Sequence, residues 1–247
     1  MQADLPGSVF ARSFGAEAAR YAAVRPTYPP AAIDFALGDI SGVILDLGAG
    51  TGKLTAGLLE RAGELIAVEP DAQMRAELRR AVPQARVLDG SAERIPLPDR
   101  SVDAILVGQA FHWFARPTAD QEMARVLRPG GVVGLLWNFP DRTVDWVAQF
   151  YQATQDPTPI TGDHPANLDL ELFTPAAESW VGWQYELAGA AQLRELAHTW
   201  SWVITRSAAE KAAIDRRLRL LIDRHAELQG PVVRFPQRTK TVRQYRR

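Results

Sequence analysis

The 247-residue sequence has no cysteine. That single absence excludes disulfides, thiolate metal ligands and a cysteine nucleophile, and it fits a reducing compartment. Histidine is scarce too. His112, His164, His198 and His225 lie far apart and form no HxH or HxxxH pair, so we expect no metal site. No apolar run approaches the roughly 18 residues that cross a bilayer. The N-terminal MQADLPGSVFARSF lacks the apolar core of a secretory signal, which predicts a cytoplasmic chain with no membrane partner. Charge of one sign is also lacking: 28 Lys and Arg stand against 29 Asp and Glu, a net charge of −1. No global field draws this chain to nucleic acid. One local exception is the C-terminal cluster of Arg238, Lys240, Arg243, Arg246 and Arg247. It reads either as a charged strand that blunts a sheet edge, which we expect, or as a nucleic-acid-binding arm.

What is present is a 47% hydrophobic share, enough to pack one large domain with an insertion. From residue 43 to about 137, short Val/Ile/Leu runs alternate with segments of helical period, the pattern of a parallel sheet covered by helices. VILDLG at 43, LIAVEP at 65, ARVLDG at 85, VDAILVGQ at 102 and GVVGLLWN at 131 read as strands buried on both faces. Helices are predicted near 52–62, 71–81 and 118–127. Thr118 with Gln121 resembles a capping box for the last, and Pro129-Gly130-Gly131 its stop. After a further helix near 141–153, a proline-rich stretch marks a loop or cap insertion at about 154–178. SWVGWQYEL alternates as a strand. Ser207 and Glu210 open a helix whose stripe of Ile214, Leu218, Leu221, Ile222, His225 and Leu228 is expected to pack on the sheet. RTKTVRQYRR reads as the final strand.

The ligand signal is LDLGAGTGKL at 45–54. An ATP loop of the form GxxxxGK followed by Ser or Thr fails twice, because Leu47 stands at its first glycine and Leu54 at its hydroxyl. A dinucleotide GxGxxG fails once, at Lys53. What remains is Gly48, Gly50 and Gly52 preceded by Asp46. An acidic side chain there repels a pyrophosphate and suits a ligand with an amino group and positive charge. Glu69, at the end of the second strand, is placed to accept both hydroxyls of a ribose, or else to support the helix that begins at Asp71. Met74, one turn on, lies against an adenine or in the core.

VILDLGAGTGKLT, AVEPDAQM, DGSAERIPLPDRSVDAILVGQAFHWF and RVLRPGGVVGLLW, in this order and spacing, resemble the successive motifs of class I S-adenosylmethionine-dependent methyltransferases of the type 11 domain. The likeness covers about residues 43–137. YAAVRPTYP at 21–29 and the C-terminal part extend it toward a small-molecule branch that includes trans-aconitate methyltransferase-like proteins. The resemblance implies a three-layer, doubly wound α/β fold, Rossmann-like. Its seven strands would be mostly parallel, with an antiparallel last strand. It divides the chain into an N-terminal helical lid segment, 1–40, and a methyltransferase domain, 41–247.

It also implies S-adenosylmethionine as cofactor. Asp46, Gly48, Ala49, Gly50 and Gly52 would hold its methionine part, and Glu69 and Pro70 its ribose. Asp71 and Met74 would flank the adenine, with Ser91, Ala92 and Glu93 at its edge. Gln109 would sit near the methionine part. Tyr21 and Arg25 would belong to the lid, with Arg25 pairing with the cofactor carboxylate or simply docking the segment. In-line methyl transfer needs positioning more than a nucleophile. The fourth strand is followed by GQAFHWFARP, where His112 is a general-base candidate or a structural imidazole, and Trp113, with Phe114, is a pocket wall. Ala115 stands where the branch often carries Asp. The expected acceptor is a small molecule methylated on oxygen, including carboxylate, on nitrogen or on carbon. The competing readings are a non-catalytic S-adenosylmethionine-binding protein and an RNA methyltransferase.

Overall fold

The computed structural model describes residues 24–155 and 168–247. Tyr21 and much of the proline-rich insertion therefore lie outside the described residues. Helix α1 (Pro30–Leu37) precedes β1 (Val43–Leu47), α2 (Lys53–Leu58), β2 (Glu64–Val68), α3 (Ala72–Ala81) and β3 (Arg86–Leu88). β4 (Val102–Gly108), α4 (Thr118–Val126), β5 (Leu127–Pro140) and α5 (Asp145–Thr154) follow. The chain then runs through β6 (Ala177–Leu187), α6 (Gly189–His198), α7 (Ser201–Ile204), α8 (Ala208–Arg224) and β7 (Val233–Tyr245).

The described residues form one seven-stranded sheet in the order β3-β2-β1-β4-β5-β7-β6. β1 to β5 pair in parallel, while β7 runs antiparallel to both β5 and β6. The expected doubly wound architecture with a reversed last strand is therefore present. The strand order reverses between β1 and β4, and the crevice beyond their carboxyl ends is where such sheets bind ligands. The central strands are buried throughout, as their unbroken apolar runs require: Ile44, Leu45, Leu47, Ile105 and Leu106 are inaccessible to solvent. One core joins the sheet to α4 and to Leu168 and Phe173 of the returning chain. The other face packs on α1 and the buried side of α2. α1, within the segment assigned to the lid, is thus part of the core.

Three expectations change. Thr118 does not cap α4: the helix begins at Thr118 itself, with Pro117 in the capping position and no side-chain cap. Pro129-Gly130-Gly131 is not the helix stop. α4 has already ended at Val126, and the stretch joins β5 as an irregular bulge, Val102 pairing Leu127 and Ala104 pairing Val132. The basic C-terminal strand is not a sheet edge, because β7 lies between β5 and β6. Several of its cations are engaged by the fold: Arg243 donates to Phe35 O at 3.0 Å and Lys240 pairs with Glu178 at 3.3 Å, while Arg247, just past β7, donates to Phe173 O at 3.0 Å and exposed Arg238 lies over the Trp180 ring. The Ser207–Glu210 capping box does form. The stripe of α8 packs mainly into a satellite core with α5, α6 and the outer ends of β6 and β7, where Trp146, Phe150, Trp200 and Phe235 meet edge to face. His225 ends that helix, 3.3 Å from Gln149 Oε1.

Phe173 is fully buried and anchors the returning chain to the main core. Phe173→Ala is expected to lower stability by about 3–5 kcal/mol in denaturant titration. Leu220→Ala, at an exposed position of α8, should change it by less than about 0.5 kcal/mol.

Candidate functional site

The glycine turn leaves the end of β1 and enters α2. Gly48, Gly50 and Gly52 all adopt positive φ, at +70°, +57° and +89°. At Gly48 a side chain is also excluded by space, since a Cβ would lie 2.8 Å from the Ala110 Cβ and 3.5 Å from the Phe114 ring. The turn is pinned to β2: the amides of Gly48 and Ala49 donate to Val68 O at 2.9 and 3.1 Å.

Glu69 fastens it further. One carboxylate oxygen accepts the Gly50 N–H and the other the Asp71 N–H, both at 2.9 Å. Asp71 then caps α3 by accepting from Gln73 N and Met74 N. Both readings of Glu69 are therefore compatible, because each oxygen keeps a further lone pair for a hydroxyl donor. Burial pushes the Glu69 carboxyl above its usual range, opposed by the two backbone N–H groups. Met74 Sδ lies near Gly50, 3.9 Å from where a Cβ would stand, which is ordinary van der Waals distance.

Asp46 is fully buried, and only one of its oxygens is satisfied: Oδ2 accepts from Thr55 Oγ1 at 2.6 Å, while Oδ1 has no hydrogen-bond partner. Thr51 Oγ1, also buried and in the same turn, has none either. Burial pushes the Asp46 carboxyl up to about 7, aided by the charge of Glu69 and opposed by Thr55. An acceptor held in a dry wall beside a strand terminus fits a cationic donor such as an ammonium group. Lys53 follows the turn, its ammonium held below the usual lysine range by burial.

On the other side of the crevice, Gln109 directly follows β4 with φ +57°, its Nε2 donating to Asn138 O at 2.8 Å. A left-handed glutamine at a strand end is a strained conformation of the kind that clusters at ligand sites. The next turn, Phe111–Trp113, sends Phe111 into the core against Phe114 and Trp137 and leaves His112 and Trp113 exposed, their rings 4.7 Å apart. Ala110 and Phe114 abut Gly48, so this turn and the glycine turn form adjoining walls.

Glu93 ties in the third wall. Its Oε1 accepts the Ala115 N–H at 2.8 Å, beside half-buried Ser91 and buried Ala92. Arg25 donates to Thr199 O at 2.9 Å and so docks on the helical satellite. The structure thus gathers Asp46, the glycines with Ala49, Glu69 with Pro70, and Met74 on one side, with Ser91 to Glu93, Gln109, His112 and Trp113 around it. Sequence reasoning missed Thr51 and Thr55. One hydroxyl within a GxGxGK run and another two residues after it, behind a strand-end Asp, were the available signal.

The crevice at the switch point of this Rossmann-like sheet carries a three-glycine turn with an acid behind it and no phosphate loop. A family model described as a methyltransferase domain matches residues 45–135. An uncharacterized methyltransferase of Mycobacterium tuberculosis is 42% identical over 218 residues, covering 87% of this chain and 88% of that protein. One from Schizosaccharomyces pombe is 40% identical over 179 residues, covering 70% and 68%. The solved structure of a proposed type II methyltransferase from Anaeromyxobacter dehalogenans matches with a TM-score of 0.58 at 25% identity, over 90% of this chain and 97% of that one. The chain belongs to the class I S-adenosylmethionine-dependent methyltransferase family. The same fold occurs in the 4+2 cyclase SpnF, at 16% identity and a TM-score of 0.53, over 97% of this chain and 94% of that one. Fold alone therefore does not name the reaction.

Asp46 makes a pH prediction. Its folded value, about 7, lies above its ordinary 3.8, so the folded protein keeps a proton that the unfolded chain has lost. The associated stability is complete below pH 3.8 and disappears as pH rises through about 7. Asp46→Asn should remove that decline, giving a higher Tm than wild type at pH 8 without added ligand. Parallel melting curves of the two proteins between pH 5 and 8 would contradict the assignment.

Proposed function

We propose that this protein transfers a methyl group from S-adenosylmethionine to a small-molecule acceptor. The observation that carries the reading is Asp46 Oδ1, a buried carboxylate oxygen without a partner, set behind a glycine turn that Glu69 braces. When bound, the cofactor supplies a methyl group made electrophilic by its sulfonium.

The residues around it divide the remaining work. Asp46, with the Thr51 hydroxyl beside it, accepts from the amino group of the methionine part, and Gly48 to Gly52 allow the backbone to approach closely. Glu69 would accept the ribose hydroxyls, with Pro70 following it in the chain. Met74 and the Ser91-Ala92 stretch bound the adenine. Asp46 binds the ammonium, a charge that persists through the reaction. Binding there does not oppose loss of the sulfonium charge in the transition state.

The acceptor side is the turn 110–114. Phe111 and Phe114 fix it to the core, which positions Trp113 as a wall for the acceptor. For an oxygen or nitrogen acceptor that must lose a proton, an imidazole nitrogen of His112 takes it. A carboxylate acceptor needs no such transfer. The near-neutral charge balance, 28 Lys and Arg against 29 Asp and Glu, favours a small molecule over RNA.

Calorimetry should give micromolar or tighter binding of S-adenosylhomocysteine and none of NAD. Glu69→Ala should weaken it at least tenfold, and unchanged affinity would remove Glu69 from the ribose site. With radiolabelled methyl donor and a panel of acids, phenols and amines, product is expected from at least one class. His112→Ala should then leave cofactor affinity near wild type and lower turnover of phenols or amines roughly 10²-fold, the low end for a lost general base. Equal turnover would assign His112 a structural role.

A further inference from the structure

The stretch 24–28 crosses the carboxyl end of the sheet and is held there from several directions. Tyr185 Oη donates to Val24 O, Arg25 donates to Thr199 O, and Asn138 Nδ2 donates to Thr27 O at 2.8 Å. Tyr28 ends the stretch, buried against the backbone of Gly108. A Cβ there would lie 2.5 Å from Tyr28 Oη and 3.2 Å from Leu54 at the start of α2. This strap therefore bears on β4 just before Gln109 and on the helix that leaves the glycine turn.

Asn138, near the end of β5, is the strap's contact on that strand. Trp183 Nε1 donates to Thr239 Oγ1 at 2.8 Å, and Thr239 Oγ1 donates to Asn138 Oδ1 at 2.7 Å. The direction of this relay is forced. A main-chain carbonyl can only accept, so the Asn138 amide nitrogen must face Thr27 O. Oδ1 then faces Thr239, whose hydroxyl donates to it while accepting the Trp183 indole N–H. The main-chain oxygen of the same residue takes the Gln109 amide. One residue thus joins the strap, the strained end of β4 and a polar chain running through β7 to β6.

We infer that Asn138 is a positioning residue for the cofactor: its amide latches the strap 24–28 across the end of β4, and retention of the bound nucleoside depends on that latch. The inference rests on the cofactor reading above.

The test uses the full chain with S-adenosylhomocysteine as probe, read by calorimetry and by hydrogen exchange of the peptide covering 24–29. Asn138→Asp keeps the acceptor for Thr239 and the side-chain volume, but turns a carboxylate oxygen on the Thr27 carbonyl. Exchange of the strap should accelerate, and Kd should rise roughly five- to tenfold, as for the loss of one hydrogen bond. Thr239→Val, which breaks the relay one step back, should shift both readouts in the same direction by less. Tyr185→Phe removes a second tether, and its effect on Kd should be non-additive with Asn138→Asp, since both release one segment. Faster strap exchange with unchanged Kd would overturn the inference, as would unchanged strap exchange in Asn138→Asp. If wild type fails to bind the probe while the strap responds as expected, the cofactor reading has failed and the dependence of binding on the latch falls with it.

Discussion

The bridge from Glu69 to the amides of Gly50 and Asp71 is the constraint on which the rest of this site depends. A turn of three left-handed glycines has little intrinsic reason to hold one shape, since glycine loses more backbone freedom on folding than any other residue. A buried carboxylate offsets that cost by accepting an amide from each side of the β1–β2 junction. The same bond places Asp71 to cap α3, which brings Met74 over Gly50. Because Glu69 is buried, its charge must be satisfied locally, and two backbone donors satisfy it while leaving acceptor capacity toward the crevice. The local order of both turns thus rests on one side chain.

Much of this architecture is legible in the sequence because strands buried on both faces must be apolar without interruption. β1, β2, β4 and β5 announce themselves in that way, and the reversed last strand follows from the family resemblance. Asp46, the glycines and Glu69 are legible because their spacing around a strand end admits few ligands. What sequence reading misses is whatever depends on lateral order. RTKTVRQYRR has the composition of an edge strand, yet β7 lies inside the sheet. Its positive groups are tolerated there because their long stems reach backbone carbonyls and aromatic faces at the rim, as Arg243 does at Phe35 and Tyr245. Thr118 fails as a cap for a local reason: Pro117 already occupies that position, and it brings no side-chain acceptor. Asn138 and Thr239 are invisible from spacing alone, being 101 residues apart and meeting only through strand register.

The two halves of the crevice are mechanically one object. Gly48 is packed so closely against Ala110 and Phe114 that any movement of the turn carrying His112 and Trp113 must be felt by the glycine turn. Glu93 adds a second connection, holding the Ala115 amide from the loop after β3. That loop is in turn clamped to α4, where Arg125 reaches Ile95 O, Leu97 O and Asp99, and Glu122 accepts the Ile95 amide. The walls expected to meet adenine, methionine and acceptor are thereby cross-braced by side-chain to backbone bonds.

Such bracing suits in-line methyl transfer more than chemistry based on a reactive side chain. When acceleration comes from holding a donor and an acceptor in one line, the scaffold contributes by not yielding, and small displacements of remote braces are costly. It also explains why Asp46 persists in an unfavourable state. A fully buried carboxyl with one unsatisfied oxygen destabilises the fold as it ionises, and a sequence selected for stability alone would replace it. Retaining it makes sense if the missing partner arrives with the ligand, because the ammonium then recovers in binding what the folded chain gives up in stability. The same reasoning separates this glycine turn from a phosphate loop: an anion there would meet Asp46 and Glu69, two carboxylates already raised by burial and, for Asp46, by the charge of the other. A positive ligand relieves that repulsion, and a negative one compounds it.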